Sequence, residues 1–199
     1  ILIYRYLMKL SGSYQINLSK QKVWEALNDP EILKKAIPGC EEFIKNSDTE
    51  FTATATNKIG PFNASFTGDI ELTDLNPPDS YKITGSGNSP VGFASGEATV
   101  RLEDHEGGTN LVYEVEANVG GKIAQVGSRL IDMTAKKMAD IFFGKFSELI
   151  SNEESSSSGE ASIEKIANTT PTESKNQNQK ILIYAAALAA VAILIYFFL

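Results

Sequence analysis

From Glu41 to Val119 the chain repeats one pattern, a short run of alternating apolar and polar residues closed by a turn signal. After Gly120-Gly121 the period changes to that of a helix. The runs read "EEFIK", "EFTATATNK", "FNASFTGDIELTDL", "SYKITGSG", "GFASGEATVRLE" and "TNLVYEVEANV". They are divided by Asn46 to Asp48, Gly60-Pro61, Asn76-Pro77-Pro78-Asp79, Ser89-Pro90 and Gly107-Gly108. Spacing this regular predicts an antiparallel meander. Upstream, "KLSGSYQINL" alternates from Lys9 and predicts a first strand, with Leu10, Tyr14, Ile16 and Leu18 on one face or at its end. Ser19 is placed to cap a helix from Lys20 to about Asn28, striped by Val23, Trp24 and Leu27, and Asp29-Pro30 starts a second short helix through Ile37. Beyond Gly121, Ile123, Val126, Leu130, Met133 and Ile141, joined by Ile131, Met138, Phe142 and Leu149, predict one long helix to about Ile150.

Strand, two small helices, six strands and a long helix make an α+β domain, with helices packed on one face of a curved antiparallel sheet. Apolar parity puts Ala53, Ala55, Ala64, Gly68, Gly85, Gly87, Ala94, Gly96, Ala98 and Ala117 on the concave face. Small side chains there leave room for an apolar cavity, unless Trp24, Phe62, Phe66 and the Met and Phe residues of the long helix fill it. The residues expected to line the cavity are Trp24, Ile37, Phe62, Ala64, Phe66, Phe93, Gly96, Tyr113, Ile123, Val126, Leu130 and Met133. No catalytic constellation accompanies them. The one histidine, His105, sits in the acidic, glycine-ended run "EDHEGG" and reads as a hairpin tip, while Asp69, Glu71 and Glu97 fall at outward parity.

Formal net charge is −7 and the lysines are scattered singly or in pairs, so no basic stripe follows a phosphate backbone and nucleic acid is not an expected partner. Cys40 is the only cysteine, which excludes an intrachain disulfide and a thiolate-rich metal site. The opening "ILIYRYL" is too short for a signal-peptide core and has no cleavage site. Residues 1–8 are therefore read as a leader that need not be native, Met8 as the start, residues 9–150 as the domain, and the domain as cytoplasmic. Residues 151–180, rich in Ser, Glu, Asn, Thr and Lys, read as a disordered linker. Ile181 to Leu199 is uncharged throughout and long enough to span the hydrocarbon of a bilayer once, as a C-terminal anchor to the cell membrane.

Three stretches, "DPEILKKAIPGCEEF", "KIGPFNASFTGDIELTDLNPP" and "GEATVRLEDHEGGTNLVYEVEANVGGKIAQVGSRLIDMTAKKMADIFFGKF", resemble the CoxG family of carbon monoxide dehydrogenase accessory proteins, a branch of the START-like (SRPBCC), helix-grip superfamily of hydrophobic-ligand binders. The match includes the Pro38-Gly39-Cys40 turn, the Gly60-Pro61 strand entry and the Phe142-Phe143 pair, and departs from the family at Gly120-Gly121, where a leucine-glycine pair is expected. The resemblance implies a seven-stranded sheet gripping the long helix around a ligand tunnel. It also implies an accessory role, without catalytic residues, beside a molybdenum-containing carbon monoxide dehydrogenase or related hydroxylase. The protein would recruit that enzyme to the membrane and handle a lipid quinone, menaquinone-like, that accepts its electrons; no covalently bound cofactor is implied. A ligand-free recruitment or assembly factor and a generic lipid-binding START-like protein are the alternatives, with an aromatase or cyclase further off.

Overall fold

The computed structural model describes residues 5–157. In chain order it holds β1 (Arg5–Ile16), α1 (Lys20–Ala26), α2 (Pro30–Ala36), β2 (Cys40–Lys45), β3 (Glu50–Ile59), β4 (Phe62–Asn76), β5 (Ser80–Ser89), β6 (Gly92–His105), β7 (Gly108–Gly121), a 3-10 turn (Ile123–Val126) and α3 (Ser128–Ser157). The strands form one sheet in the order β1-β7-β6-β5-β4-β3-β2, antiparallel at every pairing. The meander runs from β2 to β7, and β1 closes it by pairing with β7. The fold is therefore α+β, a curved seven-stranded antiparallel sheet against a C-terminal helix, as expected.

Local chemistry sets the element ends. Asp29 caps α2, its carboxylate accepting from the Glu31 amide at 2.8 Å and the Ile32 amide at 3.3 Å, with Pro30 in the first turn. Ser19 stands at the corresponding place before α1 but makes no side-chain cap. Between α2 and β2 the chain turns at Gly39 (φ 68°), where a Cβ would stand 2.3 Å from both the Thr56 carbonyl and the Asn57 amide nitrogen. The Asn57 amide in turn donates to the Pro38 carbonyl at 2.9 Å, which pins the loop to β3.

Two boundaries differ from the sequence reading. β1 begins at Arg5, and the residues read as a leader are in the sheet: Met8 is fully buried opposite Ala117, and the Tyr6 hydroxyl donates to Asp132 on α3 at 2.9 Å. The alternation of Tyr6, Met8 and Leu10 simply continues the strand upstream. At the other end α3 runs on to Ser157, so residues 151–157, placed in the linker, are helical. Residues 158–180 and the expected span at 181–199 lie outside the described residues; among the described residues no helix is long and apolar enough to cross a membrane.

The buried stripe of α3 is Ile131, Ala135, Met138, Ala139, Phe142, Phe143, Phe146 and Ile150. Of the predicted stripe, Ile131, Met138 and Phe142 are buried as expected, while Leu130, Met133 and Ile141 are exposed. The two stripes compete on one helix, and the winner carries three phenylalanines together with two alanines that let the helix approach its neighbours. The helix also starts later than predicted, because Gly127 (φ 95°) separates the 3-10 turn from α3.

Candidate hydrophobic ligand site

Strand register fixes the concave face row by row. One row reads Phe43, Ala53, Gly68, Gly87, Ala94, Val119 and Tyr6 across all seven strands. The next reads Phe51, Ile70, Gly85, Gly96, Ala117 and Met8, and the one below it Leu72, Ile83, Ala98, Val115 and Leu10. A fourth carries Tyr81, Val100, Tyr113 and Gly12. Side chains therefore grow from the small row towards the end of the sheet where α1 packs. There the Trp24 indole meets Tyr81 edge-on, with centroids 5.2 Å apart.

Helix α3 spans this surface unevenly. Its closest backbone approaches are to α2, β1 and the 3-10 turn. The β1 flank is held by aromatic and polar contacts. Phe143 stacks on Tyr14 (4.0 Å) and on Tyr113 (5.5 Å), and the Tyr113 ring occupies the space a Cβ on Gly12 would need. The Tyr14 hydroxyl donates to Asp140, as the Tyr6 hydroxyl does to Asp132. Burial, reinforced by Asp140, holds the Tyr14 hydroxyl well above the usual phenol range. Burial and the Asp140 charge also raise Tyr113, partly offset by its hydrogen bond with Tyr14.

Of the residues predicted to line the cavity, Trp24, Ile37, Ala64, Phe66, Tyr113 and Ile123 are buried on the inner side, and Phe62 is half-buried at inward parity. At the rim, Val126 and Leu130 face the β3–β4 turn; Leu130 Cδ2 lies 3.0 Å and Val126 Cγ1 3.6 Å from where a Cβ on Gly60 would stand. Three predicted members do not belong with these. Phe93 pairs with Gly120 and Arg5 in a row alternating with Ala94, Val119 and Tyr6, so it lies on the convex face, its ring against Gly120 and the Arg5 guanidinium 5.8 Å from its centroid. Gly96 gives close approach between strands and not free space, since a Cβ there would stand 2.3 Å from the Glu116 carbonyl. Met133, 60% exposed, is on the outer face of α3.

At the α1 end two buried polar atoms, Trp24 Nε1 and Asn28 Oδ1, have no hydrogen-bond partner, a donor and an acceptor left over in an apolar interior. The sequence reading used Trp24 for bulk and passed over Asn28, whose amide is turned back to the Trp24 carbonyl. It also missed Tyr6, Asp132 and Asp140; the one legible signal was tyrosine at inward parity on β1. Asp69, Glu71 and Glu97 are exposed on the convex side, and His105 stands at the end of β6 within 2.9 Å of the Gln15 amide. Cys40 is half-buried, its thiol pushed up to about 11 by burial. Among the described residues no cluster of His, Cys, Asp and Glu is suited to a metal ion.

A curved antiparallel sheet closed over by a C-terminal helix, with an apolar inner surface and its acids outside, is the architecture of the helix-grip (SRPBCC) class. Within that class, residues 12–151 match the family of CoxG, the G-type subunit of carbon monoxide dehydrogenase, and the chain belongs to that family. A conserved protein from Geobacillus kaustophilus is 31% identical, with a TM-score of 0.70 over 73% of this chain and 97% of its own. An uncharacterised protein from Rhizobium leguminosarum (14% identity, TM-score 0.59, 76% of this chain and 99% of its own) shares the fold. So does the Zhui aromatase/cyclase from Streptomyces sp. R1128, at 11% identity with a TM-score of 0.57 over 75% of this chain and 96% of its own. No curated protein matches the chain.

Proposed function

We propose that this protein is a non-catalytic accessory protein of a molybdenum-containing, carbon monoxide dehydrogenase-type enzyme, and that it takes an isoprenoid quinone between α3 and the small-residue rows of the sheet. The family to which residues 12–151 belong supports the partner. The observation that carries the ligand is the row of small inner residues, Ala53, Gly68, Gly87 and Ala94, on the apolar face of the sheet. Side chains of one carbon or none on a concave apolar wall are what leaves volume for a guest. A prenyl tail gains about 0.8 kcal/mol per buried CH₂ and loses nearly the same on leaving a bilayer, so only a wall as apolar as this one competes. Trp24 Nε1 and Asn28 Oδ1 give the head group a polar end to meet.

The apolar run at 181–199 would hold the domain at the membrane where the quinone pool lies, with the domain on the cytoplasmic side. Full-length protein purified from membranes is expected to yield a quinone on lipid extraction and mass spectrometry. Ala64→Phe, which fills the inner surface from β4, is expected to stay folded and membrane-bound, to carry no quinone, and to fail to pass electrons from the dehydrogenase to the membrane pool. Full electron flow through Ala64→Phe, or wild-type protein free of quinone, would make the protein a ligand-free recruitment factor. The carboxylates Asp69, Glu71 and Glu97 stand on the convex face, away from this surface, which favours binding over catalysis.

A further inference from the structure

The outer face of α3 is unlike the rest of the molecule. Leu130, Met133 and Ile141 are 36%, 60% and 41% exposed, three of the five large apolar side chains left on the described surface. At 100° per residue all three fall within one sector of the helix, opposite the buried stripe. Arg129 and Lys136 border that sector on one side and Lys145 on the other, with Lys137 within it, and all four are exposed. None is ion-paired among the described residues. Within residues 128–150 the carboxylates are Asp132 and Asp140, which accept from Tyr6 and Tyr14, and Glu148; Asp140 and Glu148 are exposed, against the four cations. Lys34 and Lys35 on α2, the helix packed beside α3, are exposed as well, with Glu31 one turn before them.

The opposite side of the domain has the reverse character. Glu97, Glu114 and Glu116 surround a convex groove of about 400 Å³, with Lys9 as its cation. In a chain of net charge −7, cations gathered around apolar side chains on one helix therefore mark a direction. We propose that the outer face of α3 lies on the surface of a bilayer containing anionic phospholipid. Leu130, Met133 and Ile141 enter the headgroup boundary while Arg129, Lys136, Lys137 and Lys145 meet the phosphates. Cations flanking an apolar strip are what an interfacial helix presents to such a surface. The chain beyond α3 points the same way, since its last 19 residues, 181–199, are uncharged and apolar. An acidic protein would satisfy the lysines but would gain less from three apolar side chains set between them. The orientation also puts the rim formed by Leu130, Val126 and the β3–β4 turn beside the lipid. The contact stands whether or not a quinone is bound.

The test uses the full chain in vesicles. A solvent-sensitive fluorophore is attached at Ile141→Cys in a Cys40→Ser background, and a control label at Glu114→Cys on the convex face. In phosphatidylcholine vesicles containing phosphatidylglycerol, the label at 141 is expected to be quenched by nitroxide-bearing lipid and the label at 114 not. Replacing phosphatidylglycerol by phosphatidylcholine, adding salt, or introducing Lys136→Glu with Lys137→Glu and Lys145→Glu is expected to cut that quenching by about threefold or more. Quinone extracted from the same samples is expected to be unchanged, so loss of lipid contact and loss of ligand are read separately. Equal quenching at 141 and 114, or a label at 141 that stays in water in both vesicle types, would overturn the proposal. Protection at 141 that appears only on adding the purified dehydrogenase would also overturn it, assigning the face to a protein.

Discussion

The two flanks of the sheet treat the same helix differently. On the β1 flank, α3 is joined to the sheet by Phe143 stacked against both Tyr14 and Tyr113, and by carboxylates at 132 and 140 that accept from Tyr6 and Tyr14. On β3, β4 and β5 the corresponding inner row is alanine and glycine. Aromatic bulk is placed on one side and small side chains on the other. Filling both flanks with aromatic side chains would give a more stable domain with no space for a guest, and emptying both would leave the helix unmoored.

The largest expected effect comes from cutting the filled flank. Phe143→Ala removes a side chain that is 1% exposed and stacked on two tyrosines, and is expected to cost about 3–5 kcal/mol in denaturant unfolding. A loss under about 1 kcal/mol would mean that the flank is looser than its contacts. Adding volume tests both flanks at once. Gly12→Val drives a side chain into the Tyr113 ring, 2.6–2.8 Å from where its Cβ would stand, and is expected to cost about 1–3 kcal/mol, whereas Ala64→Phe on the open side is expected to cost less than Gly12→Val in the same assay.

Alkaline pH probes the filled flank without mutation. The hydroxyls of Tyr14 and Tyr113 are both raised in the folded state, so the folded protein holds protons that the unfolded chain gives up at about 10. Stability is therefore expected to be full below that point and to fall as pH rises above it. The decline should be shallower in Tyr14→Phe, read from urea midpoints between neutral and alkaline pH. An equal slope in the variant would assign the alkaline loss to other groups. The smallest effect is expected on the convex face, where Arg101 and Glu114 pair at 2.9 Å with both side chains largely in solvent. Glu114→Ala should change stability by about 0–1 kcal/mol and lose even that in salt.

The element order, the meander and the inward-facing strand residues all follow from the amino-acid sequence alone, because strand parity is a local property of period two and every turn was marked by Gly, Pro, Asn or Asp. Asn57, at inward parity yet turned to the Pro38 carbonyl, shows that parity fixes direction but not contact. The family was legible too, from motifs spread between Asp29 and Phe146. Which stripe α3 buries was a matter for the folded molecule. Its sequence offers two apolar faces, and the choice depends on Tyr14 and Tyr113 waiting on β1 and β7, far away in the chain, to receive Phe143. Likewise Gly96 looks like an inward residue that leaves room. Whether a missing Cβ leaves room or relieves a clash is settled by the neighbouring strand, and at Gly96 the Glu116 carbonyl takes the space. Long-range packing assigned both the buried stripe and the space at Gly96, since residues distant in sequence set the volume available at each position.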